Sequence, residues 1–247
     1  LRAWPELAGD APRLADLERA WLAMMAREAL DVFRLPRLTG GRIADLVRIE
    51  DPSPLFDARA DGRGVILTMA HYGRLIMLLA ALGAAGLRLN MLTIPIDARN
   101  PDLAPAMRRY LGTKVARLRA FIGGDWVAVG DSLKRVYEGL RRGEIWIILM
   151  DAHLAHPVTR ERYPFLGGEL RLATGIPRLA ARTGARIVYG AVHEDGYRLR
   201  GRLCALDADP SRAMTEAVAE LERDVVAQPE QWWQWAIFDY LWTPEAV

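Results

Sequence analysis

The chain has 247 residues, 51% of them hydrophobic, and 33 basic side chains against 31 acidic ones give a net charge of +2. That composition supplies the core of one large domain and excludes a disordered or low-complexity chain. Without a lysine-rich tail or an aromatic-interleaved basic ribbon, nucleic acid is excluded as the expected partner. A single cysteine, Cys204, excludes an internal disulfide and fits a reducing compartment.

Leu14, Leu17, Trp21, Met24, Met25 and Leu30 recur at helical spacing, which predicts a helix over 12–34. A short helix is expected over Gly41–Leu46 and another from Pro54 to Ala60. Strands and helices then alternate: strand Val65–Ala70, helix Leu75–Gly86, strand Leu89–Ile94, helix Asp102–Leu111 and a short strand Lys114–Leu118. Trp126–Arg142 reads as largely helical, and Ile145–Met150, apolar without alternation, as a central strand buried on both faces. A polar loop leads to helix Leu172–Thr183. Strands Ala185–His193 and Tyr197–Leu206 form a hairpin across Glu194-Asp-Gly196, and Pro210–Gln228 is an amphipathic helix before an aromatic end, Trp232–Leu241. The fold class expected is α/β: a single domain over 1–247, a mainly parallel mixed sheet flanked by helices, with residues 1–50 a helical segment packed on it. The longest apolar run, Leu75–Leu87, has thirteen residues, whereas a membrane-spanning helix needs roughly 20.

The strand over 65–70 ends in His71, and the strand over 145–150 ends at Asp151-Ala-His153. In a mainly parallel sheet both ends open on one edge, so His71 and Asp151 could converge in one crevice as a base and its orienting carboxylate. The alternative is a strand-end histidine and a loop-capping aspartate. Asp151, His153 and His156 resemble a loose metal cluster but lack a further fixed ligand, so no metal is expected. Arg171, before the helix start at Ala173-Thr174-Gly175, suits an anionic group or is a solvated loop arginine. The cluster from Pro229 through Trp232, Trp233 and Trp235 either packs on the core or lines an acyl pocket or membrane interface. Catalytic candidates are His71 and Asp151; substrate-binding candidates are Arg74, His153, Arg171 and Thr174.

In their order these segments resemble the bacterial lipid A biosynthesis (late) acyltransferase family, within the lysophospholipid acyltransferase-like group. Gly64-Val-Ile-Leu-Thr-Met-Ala-His71-Tyr-Gly73 is similar to the family's histidine block, and Leu140-Arg-Arg-Gly143 with Ile147-Ile-Leu-Met-Asp151 to its later hydrophobic-Asp segment. Pro164-Phe-Leu-Gly167, Ala173-Thr174, Leu179–Val188 and Pro229-Glu-Gln-Trp232-Trp233-Gln-Trp235 follow in family order, covering roughly residues 40 to 240. The resemblance implies transfer of a fatty acyl group from an acyl carrier protein or coenzyme A thioester to a hydroxyl or amine of a small or amphipathic acceptor. It implies no cofactor beyond the thioester co-substrate, and His71 as general base.

The family's acid would fall at position 76, where this chain has Ile76. Arg74 and Leu75 replace the block's Asn and Trp, and Ala236-Ile-Phe-Asp-Tyr240 replaces the basic residues after the aromatic ending. No counterpart of the family's N-terminal membrane anchor is expected here. These departures point to Asp151 as substitute acid, to an acceptor less phosphorylated than lipid A, and to a cytoplasmic protein at most peripheral on the inner membrane. Two alternatives follow: an inactive relative that binds an acyl chain or acyl carrier protein, and a thioester hydrolase in the same crevice. A carboxylate within about 3.2 Å of a His71 ring nitrogen separates a working base from an idle one.

Overall fold

The computed structural model describes residues 10–60, 62–152 and 159–244. In chain order the helices are α1 (Ala11–Arg34), α2 (Gly40–Leu46), α3 (Ser53–Ala60), α4 (Leu75–Ala84), α5 (Pro105–Ile122), α6 (Lys134–Arg141), α7 (Gly175–Thr183), α8 (Pro210–Ala227) and α9 (Phe238–Leu241). The strands are β1 (Val47–Ile49), β2 (Val65–Met69), β3 (Leu89–Thr93), β4 (Gly123–Ala128), β5 (Ile145–Leu149), β6 (Arg160–Phe165), β7 (Gly168–Ala173), β8 (Arg186–Asp195), β9 (Arg198–Ala205) and β10 (Trp242–Pro244).

Seven strands form the main sheet in the order β1-β9-β8-β2-β5-β3-β4. All neighbours are parallel except β8 and β9, which form the expected hairpin. Every residue of β2 is buried, because helices cover both faces of a central parallel strand. On one face α4 is apolar all round, with Leu75 to Leu82 all buried, and packs against β1, β8, α1, α2 and α5. On the other face lie α6, α7, α8 and a small antiparallel sheet, β10-β7-β6. The result is the expected α/β domain with a helical N-terminal segment.

Four expectations fail. Lys114–Leu118 is not a strand but the middle of α5, where Tyr110, Lys114, Leu118 and Ile122 recur every turn toward α1 and α4. Residues 126–142 are mostly not helical. β4 occupies 123–128 and α6 only 134–141; Gly124 lies so close to β3 that a Cβ would overlap the Leu89 carbonyl. The loop before α7 is the β6–β7 hairpin, turned by Leu166 and Gly167 with φ of 50° and 69°. A leucine gives no turn signal, and here its burial and a bond from its N–H to Glu222 hold it. Leu172 and Ala173 accordingly belong to β7 rather than to α7.

Candidate active site

β2 and β5 are neighbours in parallel register with Met69 opposite Leu149, so the residues just beyond them emerge side by side at the carboxyl edge. There His71 Nδ1 lies 2.8 Å from Asp151 Oδ1, and the His71 backbone N–H approaches both carboxylate oxygens at 3.0 Å. Asp151 is fully buried, while the His71 side chain is 24% exposed. The indole N–H of Trp232 donates to Asp151 Oδ2 at 3.0 Å, so three N–H groups converge on one carboxylate. A carboxylate that accepts from Nδ1–H fixes the imidazole tautomer and leaves the Nε2 lone pair free. Nε2 has no protein partner among the described residues.

The loop carrying His71 is held from above by the segment after α8. Gly73 N–H donates to the Gln231 carbonyl at 2.8 Å, Trp233 N–H to the His71 carbonyl at 2.8 Å, and Trp233 Nε1–H to the Gly73 carbonyl at 2.9 Å. Gly73 adopts φ of 58°, and a Cβ there would overlap the Val192 carbonyl oxygen. The Trp233 ring sits 5.5 Å from the imidazole, tilted by 51°. Gln234 Nε2 donates to the Asp151 carbonyl at 2.7 Å and lies 3.0 Å from His71 Nδ1, closing the box around the ring. The aromatic cluster is therefore mainly core and clamp: Trp232 and Phe238 are nearly inaccessible, and Trp235 packs 5.0 Å from Trp232. Reading this cluster for its aromatic surface alone hid the polar edges of Trp232 and Gln234, which reach the dyad.

A pocket of about 340 Å³ opens at His71. Its walls take residues from successive strand ends — Met150 after β5, Thr93 and Ile94 at β3, Val129 after β4 — so it runs across the sheet edge away from His71. Ile176 and Leu179 of α7 close one side, and Leu103 of the segment before α5 another. That segment is latched by Arg99, which bonds to Asp97 and Asp131 and pulls the Asp97 carboxyl down to about 2.

The other candidates lie apart from the dyad. Arg74, buried, donates through Nε and Nη2 to Asp31 at 2.6 and 2.7 Å, tying the start of α4 to α1. Arg171 donates to the Tyr240 carbonyl at 2.6 Å. Neither lines the pocket. Thr174 stands between the lining residues Ala173 and Gly175, but its hydroxyl donates to the Thr159 carbonyl at 3.3 Å. His153 and His156 lie outside the described residues. Among the described residues no group of three or more His, Cys, Asp or Glu side chains is placed to hold a metal, and no helix is long and apolar enough to cross a membrane.

The sequence matches the family model for bacterial lipid A biosynthesis acyltransferases over residues 16–236. The chain belongs to this family. It is also similar to a phosphatidylinositol mannoside acyltransferase of Mycolicibacterium smegmatis (strain ATCC 700084 / mc(2)155), 26% identical over 224 residues covering 88% of this chain and 70% of the relative. Against the late-acyltransferase pattern, the missing acid at Ile76 has a local reason. Ile76 is fully buried in the apolar helix α4, surroundings that penalise a charged side chain. The carboxylate that does reach His71 is Asp151, from the adjacent parallel strand.

Proposed function

We propose that this acyltransferase-family protein moves a fatty acyl group from a coenzyme A or acyl carrier protein thioester to a hydroxyl or amine of a lipid-like acceptor, with His71 as general base. The single observation carrying this reading is the 2.8 Å contact between His71 Nδ1 and the buried Asp151 carboxylate. Nε2 takes the acceptor proton as the acceptor oxygen or nitrogen attacks the thioester carbonyl. The tetrahedral intermediate then collapses, the C–S bond breaks, and the imidazolium returns its proton to the departing thiolate. Asp151 stabilises that imidazolium and keeps the ring oriented. The acyl chain takes the apolar pocket beside His71, and the name of the mycobacterial relative supports an amphipathic, hydroxyl-bearing acceptor.

Incubation with long-chain acyl-coenzyme A and acyl carrier protein thioesters, followed by mass spectrometry of thioester and product, tests the reading. Transfer that stops in His71→Ala is the expected result. Undiminished transfer in that variant would rule out the mechanism, and water as sole acceptor would make the protein a hydrolase.

A further inference from the structure

At the other end of the sheet, three arginines lie outside the catalytic reading. β1 pairs with β9 in parallel, Arg48 opposite Arg200, and Arg198 precedes Arg200 by two residues. Paired residues and residues two apart share a sheet face, so Arg48, Arg198 and Arg200 form a row. Like charges set side by side repel, yet only one of the three is neutralised: Arg200 meets Glu50 at 3.1 Å and Asp195 at 3.8 Å. Among the described residues no carboxylate reaches Arg48 or Arg198 at ion-pair distance. The row lines a second cavity, of about 410 Å³, together with Asp45, Asp195 and Leu199.

Two further observations point to a ligand type. Tyr197, at the turn before Arg198, is 77% exposed, and its ring lies 5.7 Å from the Arg198 guanidinium. An exposed phenol beside arginines suits the boundary between lipid headgroups and water. The row also sits near the dyad. Arg200 is opposite His193 on β8, and the His193 ring packs 5.2 Å from that of Tyr72, the neighbour of His71. Two to three strand spacings, about 10–15 Å, separate the row from the catalytic strand.

We propose that Arg48, Arg198 and Arg200 bind the phosphate of a phospholipid headgroup at the same sheet edge as the acyl-transfer site. Planar guanidinium groups match phosphate oxygens two at a time, and although Asp45 and Asp195 share the cavity, among the described residues neither Arg48 nor Arg198 has a carboxylate at ion-pair distance. The placement beside a reacting lipid rests on the acyltransferase reading; the binding itself does not.

The test therefore measures binding without turnover, on the full chain. The probes are glycerol phosphate, titrated calorimetrically, and sedimented vesicles of phosphatidylcholine with or without phosphatidylglycerol. The double variant Arg48→Gln/Arg198→Gln changes two exposed side chains, and Arg141→Gln on α6 is the control. Each arginine contributes about fivefold near an anionic surface, so the double variant is expected to bind about 25-fold more weakly, and the control unchanged. Loss toward glycerol phosphate assigns the site to a single headgroup such as the acceptor's own. Loss toward anionic vesicles alone assigns it to headgroups of the bilayer surface. Wild type that binds neither probe, or a double variant that binds both as wild type does, overturns the proposal. Intact headgroup binding without acyl transfer counts against the acyltransferase reading and leaves this site standing.

Discussion

At the residue scale the site depends on one carboxylate and the groups that aim at it. Asp151→Asn keeps the shape but replaces an acceptor-only group with an amide, so the tautomer is no longer imposed; kcat is expected to fall by on the order of 10²–10⁴, measured as product formed per enzyme. Trp232→Phe removes one donor from the buried carboxylate. It is expected to cost about 1.5–3 kcal/mol of stability, read by urea unfolding, and to lower kcat while leaving thioester binding intact. Cys204, half-buried and with its thiol held up chiefly by burial, takes no part in the dyad; Cys204→Ser is expected to leave transfer unchanged.

At the element scale α4, which follows the His71 loop, is docked to α1 through a buried ion pair. Arg74 and Asp31 are both buried and bonded through two N–H···O contacts. Asp31→Ala leaves a buried guanidinium whose remaining ion pair among the described residues is with Glu194, at 3.8 Å, and is expected to cost about 3–5 kcal/mol, whereas an apolar pair such as Asp31→Leu with Arg74→Met restores much of it. Deeper between α1 and α5, burial raises the Glu28 carboxyl above its ordinary 4.5, although Lys114 at 2.7 Å opposes this. A carboxyl raised on folding favours the folded state below 4.5 and loses that contribution as pH climbs through the folded value. The stability of Glu28→Gln relative to wild type should therefore rise with pH from about 4.5 upward. Parallel denaturation curves at each pH check the slope, and a flat difference would remove Glu28 from the account.

At the scale of the whole molecule the pocket beside His71 takes its length from the order of the strands. It begins after β2 and passes the ends of β5, β3 and β4, three spacings or about 14 Å. Val129 stands at its far end. Val129→Trp should shift preference toward shorter acyl chains with little loss of kcat on them, scored by competition among acyl-coenzyme A species of graded length. The Arg99 latch over this pocket is exposed and tied to two carboxylates. Exposed ion pairs contribute little and weaken with salt, so the latch orders the loop more than it stabilises the domain.

Much of this protein is written locally. The buried strand ending in His71, the uninterrupted apolar run of β5, the Glu194-Asp-Gly196 hairpin and the periodic faces of α1 and α8 are short-range patterns, and they suffice for the fold class and the family. The β6–β7 hairpin was hidden because Leu166 adopts positive φ without a residue that signals it; burial and Glu222, distant in sequence, hold it there. β4 was hidden because a Gly-Gly pair reads as a break until a neighbouring strand needs the room. The dyad divides in the same way. Sequence alone marks His71 and offers Asp151, eighty positions later, as one candidate partner. Only the parallel pairing of β2 with β5 brings them to 2.8 Å, and only the chain after α8, folded back over the loop, supplies the Trp232 and Gln234 contacts that hold them. Pattern fixes what each segment becomes, because that depends on neighbours along the chain; which side chains meet depends on strand order, which no local pattern contains.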